Sequence, residues 1–208
     1  MKVTNMLKLG CILAIFAAAA CVMLAFVYTG TASIIGRRQQ ADLEAALQEI
    51  FPGADSFEAA HGIKSPDAAV TIENAYTAIR AGKPVGAALR LTRASYGGPI
   101  KIMAGVDIDG TITGVKIMEH SDTPGLGANA ASDKYFVDKA KGITFYGQFT
   151  GKSINDPFEV KGDVAAITAS TITSRAVALT VKAAAVAVSS WFAGIDVDAV
   201  SAATEEGE

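Results

Sequence analysis

The chain has 208 residues, a length that suits one medium-sized domain with accessories rather than two full catalytic domains. Half of it is hydrophobic, 19% is charged and the mean hydropathy is +0.33, which excludes a disordered chain and points to a membrane segment. The net charge of −3 with scattered Lys and Arg leaves no basic footprint for nucleic acid, and the two cysteines, Cys11 and Cys21, both lie in the first apolar stretch, so neither a disulfide framework nor a cysteine-rich zinc or iron–sulfur site can be built elsewhere.

Residues 7–28 are apolar apart from Lys8, and as a helix they span about 33 Å, one crossing of a bilayer. A cleaved signal peptide competes, because Lys2 and Lys8 form a positive leader, but its apolar run is ordinarily only about 7–15 residues. Lipoprotein cleavage before Cys21 is set aside because more apolar residues follow. Lys2 and Lys8 lie closer to the apolar run than Arg37 and Arg38 do, which places residues 1–6 in the cytoplasm and the remaining chain outside. Within residues 29–66, Leu43, Ala46, Leu47 and Ile50 recur at helical spacing in a helix predicted over 39–51, which Pro52-Gly53 stops before a linker.

The principal domain is expected over 67–195. Residues 74–80 and 85–92 read as strands around Ala81-Gly82-Lys83-Pro84, and 100–108 and 111–118 as strands around Asp109-Gly110, a strong hairpin signal. Ser132 is placed to cap a helix over 133–141 that Gly142 ends, and 144–149 reads as another strand. A last helix over 174–192 puts Val177, Val181, Ala184, Val188 and Trp191 on one stripe, with Arg175 and Lys182 off it, and is expected to pack on the sheet. A second membrane crossing there is disfavoured, since a lysine at its centre costs about 2.5–3.5 kcal/mol. Residues 196–208 form an acidic, frayed tail. The sum is an α+β fold with antiparallel hairpins and packed helices behind a single transmembrane helix.

No Ser/His/Asp order, phosphate-binding P-loop or G-x-G-x-x-G stretch is present, so hydrolase, nucleotidase and Rossmann chemistry have no motif behind them. His120 sits beside Glu119 and Asp122, but no second histidine or cysteine stands at ligand spacing to complete a metal site. Two loops remain. Thr123-Pro124-Gly125-Leu126-Gly127 has glycines that permit positive φ and close approach of backbone to a phosphate or flat ring, although it also serves as an ordinary strand-to-helix turn. Thr168-Ala169-Ser170-Thr171-Ile172-Thr173-Ser174 precedes the last helix. There, hydroxyls and free amides can hold an anion, a threonine oxygen can carry a phosphoester, or the hydroxyls can simply cap the helix.

Taken together, HSDTPGLGANA and, some forty residues on, AAITASTITSRAV resemble the FMN-binding domain of the Rnf-complex G subunit, which the C subunit of the sodium-pumping NADH:quinone reductase shares. The resemblance extends to the amino-terminal anchor, FPGAD, GGPIKIMAGVDIDGTITGVKIMEH and FYGQFTGKS. It implies that the threonine ending a motif Asp-x-x-Ser/Thr-Gly-Ala-Thr is joined to FMN through a phosphoester, made by a separate flavin transferase from FAD. Here Thr171 is that acceptor, Thr168 the Ser/Thr position, Ala169 stands for glycine, Ser170 for alanine, and the leading aspartate falls on Ala165, with Asp163 two residues too early.

By the same resemblance His120, Asp122, Thr123, Pro124, Gly125, Leu126 and Gly127 lie against the flavin, Ser170, Thr173 and Ser174 support the phosphate or acceptor oxygen, and Tyr96 to Gly98 contribute to the ring pocket. The implied protein is a membrane-bound electron relay between ferredoxin and NAD, partnered by the other membrane subunits of the complex. Its flavin domain is expected on the extracytoplasmic face. The alternatives are a C-type flavin subunit of the quinone reductase and a membrane-anchored scaffold that carries no cofactor.

Overall fold

The computed structural model describes residues 3–194, and the expected acidic tail lies outside the described residues. The chain divides into two units, Met1–Ala45 and Ala46–Glu208. Helix α1 runs over Val3–Ile50 without a break, where the sequence pattern predicts two separate helices. Residues 29–38 contain no proline, only the lone glycines Gly30 and Gly36, and an isolated glycine costs a helix only about 1 kcal/mol. Pro52 is the first residue able to end the helix.

In the first unit the α1 segment is long and apolar enough to cross a membrane, with exposed side chains such as Leu13, Phe16, Leu24 and Phe26. Thr29 and Thr31 turn their hydroxyls back onto the carbonyls of Ala25 and Val27, 3.0 and 2.8 Å away, so neither presents an unpaired polar group.

The second unit is built on a five-stranded antiparallel meander whose order follows the chain: β1 (Ser56–Ala59), β2 (Val70–Arg80), β3 (Lys83–Ala94), β4 (Pro99–Asp107) and β5 (Ile112–Glu119). Both expected hairpins are present. The first turns on Ala81-Gly82 alone, at φ 50° and 73°, the paired positive φ of a type I′ turn. In the second, Asp107 Oδ1 accepts the amides of Asp109 and Thr111 at 3.0 and 2.7 Å while Gly110 takes φ 81°. The short edge strand β1 escapes the sequence pattern, because SFEA has only Phe57 partly covered.

Helix α2 (Thr171–Ala193) packs on β3 and β4. Val177, Val181, Ala184 and Val188 are fully buried, in one core with Leu89, Leu91, Ile102 and Ala104. Burying such a stripe against the sheet is the main stabilising term, at about 25 cal/mol per Å² of apolar surface removed from water. Lys182 is off the stripe but not idle: its Nζ donates to the carbonyls of Asp156 and Pro157 at 3.0 and 3.3 Å. The opposite sheet face receives Ile50 and Phe51 over Gly86, Gly105 and Gly114, and beyond them Arg90 and Lys101 pair with Glu73 and Glu119.

Two expected elements are corrected. No helix forms over 133–141; β6 (Phe136–Asp138) pairs instead with β7 (Ile143–Thr144). The apolar period there is two, with Tyr135 and Val137 against the core and Phe136 exposed. Ser132 Oγ and Asp138 Oδ1 accept nearby amides in turns, Lys134 on the first and Ala140 and Lys141 on the second. The strand expected over 144–149 ends at Thr144, whose Oγ1 accepts the Gly147 amide and starts a 3-10 turn over Gly147–Phe149. Phe145 and Phe149 are then both fully buried, four residues apart.

Candidate functional site

A cleft of about 410 Å³ opens where the end of β5, the turn after β3 and the start of α2 converge; its walls are Tyr96, Asp122, Thr123, Leu126, Gly127, Ala169, Ser170, Thr171 and Ile172. The volume falls in the range of small-molecule sites, about 300–1,000 Å³. The two loops singled out in the sequence therefore meet, although forty residues separate them.

Asp122 joins the walls. It is buried, and its carboxylate accepts Ser95 Oγ at 2.9 Å and the Gly97 amide at 2.7 Å, tying the turn after β3 to the loop after β5. The turn is tight, with the Ser95 amide donating to Gly98 O at 2.7 Å. In the second loop Thr123 O accepts the amides of Leu126 and Ala128, Gly125 takes φ 79°, and a 3-10 helix follows over Gly127–Ala131. A Cβ on Gly127 would stand 2.7 Å from Asp122 Cγ and from Thr173 Oγ1, so glycine keeps the two loops in close approach.

The start of α2 supplies the remaining wall. Ser170 is the N-cap but makes no side-chain capping bond, so the first amides of the helix lack the partner a capping hydroxyl ordinarily provides. Thr173 is fully buried and its Oγ1 has no partner among the described residues. Ser174 is also fully buried, but its Oγ is engaged twice, accepting the Ile167 amide and donating to Ser170 O, both at 2.9 Å, which holds the preceding loop against the helix. Ala169 adopts φ 59°, the left-handed conformation for which glycine is the usual residue.

Of the expected residues, Tyr96, Asp122, Thr123, Leu126, Gly127, Ser170 and Thr171 line the cleft. Thr173 and Ser174 lie behind the wall, Pro124 and Gly125 shape the loop, and Thr168 donates its amide to Tyr135 Oη at 3.3 Å. His120 is half-buried outside the lining, and its Nδ1 has no partner among the described residues. Ile172 is a wall residue that the sequence reading misses. Its signal is an exposed β-branched residue in the first turn of α2, off the buried stripe.

Asp163 does not substitute for the missing aspartate. Its carboxylate accepts Lys152 Nζ at 2.8 Å and the amides of Glu159 and Phe158 at 2.6 and 3.2 Å. Burial pushes this carboxyl up, but those bonds and the Lys152 charge outweigh it and hold it below the usual aspartate range.

The walls fit a flat, anionic ligand. Apolar Tyr96, Leu126 and Ile172 stand beside uncapped helix amides, and a buried hydroxyl without a partner among the described residues lies behind Gly127. Comparison with known proteins agrees in kind. Residues 95–186, which include every cleft residue, match the FMN-binding domain family, and residues 1–50 match the RnfG N-terminal region.

Three relatives carry the similarity along the chain. The G subunit of the Na(+)-translocating ferredoxin:NAD(+) oxidoreductase complex of Acetobacterium woodii is 34% identical over 190 residues, covering 82% of this chain and 85% of that protein. The G subunit of the ion-translocating oxidoreductase complex of Aliivibrio fischeri is 32% identical over 200 residues, covering 91% and 90%. Its counterpart in Cereibacter sphaeroides is 33% identical over 150 residues, which span 71% of this chain and 65% of that protein's length.

Proposed function

Because the chain belongs to the G-subunit family of ion-translocating oxidoreductase complexes, we propose that it is the electron-relay subunit of such a complex, holding FMN in the cleft through a phosphoester to Thr171. When bound, the flavin supplies one- and two-electron transfer. Oxidation of ferredoxin, reduction of NAD and passage of the ion fall to the partner subunits. Helix α1 anchors the chain in the membrane, with residues 7–28 as the single span and the flavin domain over 67–195 on the extracytoplasmic side.

The observation that carries this reading is the place of Thr171: first residue of α2, partly exposed in the cleft wall, opposite the Thr123 to Gly127 loop. Asp122 fixes the turn after β3 against the loop after β5, and the first amides of α2 would hold the phosphate, with Thr173 behind them. Tyr96, Leu126 and Ile172 are the apolar walls that would lie against the ring and exclude water from it. In maturation the Thr171 hydroxyl attacks the flavin-side phosphorus of FAD. The new P–O bond to threonine forms as the bridging P–O bond breaks, AMP leaves with the bridging oxygen, and the hydroxyl proton passes to the flavin transferase or solvent. No electrons change hands.

Coexpression with a flavin transferase, denaturation and in-gel fluorescence test the linkage. Wild type is expected to fluoresce, Thr171→Ala to be dark, and Thr173→Val to fluoresce. A dark wild-type band beside a working control leaves the cofactor-free scaffold as the reading. Protease added to intact spheroplasts is expected to digest the large domain; protection would reverse the orientation.

A further inference from the structure

The chain lacks the aspartate that opens the attachment motif, yet the segment from Ala165 to Ser170 is not loose. Val164 and Ile167 are buried on either side of Ala165, which is itself exposed and offers only its backbone. Both backbone groups of Ala165 are taken by one side chain: its amide donates to Gln148 Oε1 at 2.8 Å, and Gln148 Nε2 donates to its carbonyl at 3.2 Å. Nε2 also donates to Phe145 O at 2.9 Å. Three bonds of fixed polarity determine the amide's orientation, since a flipped amide would face a donor with a donor and two acceptors with an acceptor.

Gln148 is well placed to act as a clamp. It belongs to the 3-10 turn Gly147–Phe149, pinned by Phe145 and Phe149, which are fully buried and meet edge to face at 5.8 Å. Downstream, the loop must pass through Ala169 at φ 59° before Ser170 opens α2. A non-glycine residue in that conformation persists only where its surroundings over-determine it. Ser174 holds the helix side of the loop through Ile167 and Ser170, and Gln148 holds the far side. Released at Ala165, the loop is free to relax at Ala169 and shift Thr171 in the cleft wall.

We propose that Gln148 is the positioning residue of the attachment loop, its amide fixing the backbone at the position where the motif's carboxylate is absent. This rests on the reading that Thr171 receives the flavin phosphoester. The test uses the full-length chain in detergent with flavin transferase and FAD, following covalent fluorescence over time in wild type, Thr171→Ala, Gln148→Met and Gln148→Glu. Methionine keeps the length without the hydrogen bonds, and glutamate keeps an acceptor for the Ala165 amide but loses both donors.

Gln148→Met is expected to label about tenfold more slowly than wild type while reaching the same end point, with Gln148→Glu between them. Amide exchange is expected to quicken in Gln148→Met at Ala165 and Thr168 but not in β3 and β4. A merely structural role lowers the end point, because fewer molecules are folded, and leaves the rate of the folded fraction unchanged. Wild-type rates in either folded glutamine variant overturn the positioning role while leaving attachment at Thr171 intact. An unlabelled wild type, or a labelled Thr171→Ala, overturns the attachment reading and this one with it.

Discussion

Phe51 occupies the space that a side chain on Gly105 would claim: a Cβ on Gly105 would stand 2.8 Å from Phe51 Cε2. Gly86 makes the same allowance for Phe51 Cζ, at 2.7 Å, and Gly114 for the Cα of Ile50, at 2.8 Å. Three neighbouring strands thus leave a recess in the outer face of the sheet, into which the residues ending α1 are set. Lys116 and Glu49 pair beside it.

Gly105→Ala is expected to destabilise the protein by about 1–3 kcal/mol through overpacking, since Phe51 and Thr113 leave the new methyl no room. Phe51→Ala is expected to cost about 3–5 kcal/mol by leaving the recess empty. Urea unfolding of the detergent-solubilised chain measures both. A Gly105→Ala protein as stable as wild type would show the recess to be soft.

Asp122→Ala leaves Ser95 Oγ and the Gly97 amide without their acceptor. The loss is expected at about 1–3 kcal/mol. Because this carboxylate joins two walls of the cleft, FMN added to the Thr171→Ala background should bind more weakly when Asp122 is also replaced. Fluorescence quenching of titrated FMN reads this, and equal affinity in both proteins would remove Asp122 from the site.

Ala169 stands at φ 59° where the attachment motif has glycine. Ala169→Gly relieves about 1–2 kcal/mol of left-handed strain and returns about 0.4–1 kcal/mol through the freer unfolded chain. A net gain in thermal midpoint is expected, with flavin labelling no slower than wild type. A lower midpoint would mean that the methyl makes a contact worth more than the strain.

The carboxyl of Asp163 lies below its ordinary value, so its contribution to stability is present above about pH 3.9 and is lost as the pH falls through the lower folded-state value. Asp163→Asn should therefore be less stable than wild type at pH 7, with the gap narrowing towards pH 3. Urea midpoints at the two pH values check this, and a gap independent of pH would show that the Asn amide loses packing rather than charge.

Much of the fold was legible because local chemistry and tertiary structure agreed. Asp109-Gly110 forms its turn with acceptors from the adjacent Asp107, and the stripe through Val177 and Val188 has one face to bury. Where they disagreed, the sequence misled. Ser132 and Gly142 look like helix punctuation, but Tyr135 and Val137 reach the core only from an extended backbone. Residues 7–28 and 39–51 read as two helices, yet without proline between them nothing interrupts α1.

For the site, residue types alone marked both loops, since paired glycines and a run of hydroxyls suit few structures other than a turn, a cap or a ligand cradle. Their meeting was decided only by the packing of α2 on β3, β4 and the 3-10 helix Gly127–Ala131, because proximity across forty residues is a property of packing and leaves no periodic trace. The same holds for the division of labour among neighbouring hydroxyls. Thr171, Thr173 and Ser174 are alike in composition, but the helical turn puts the first in the cleft wall, leaves the second buried without a partner among the described residues, and engages the third with Ile167 and Ser170.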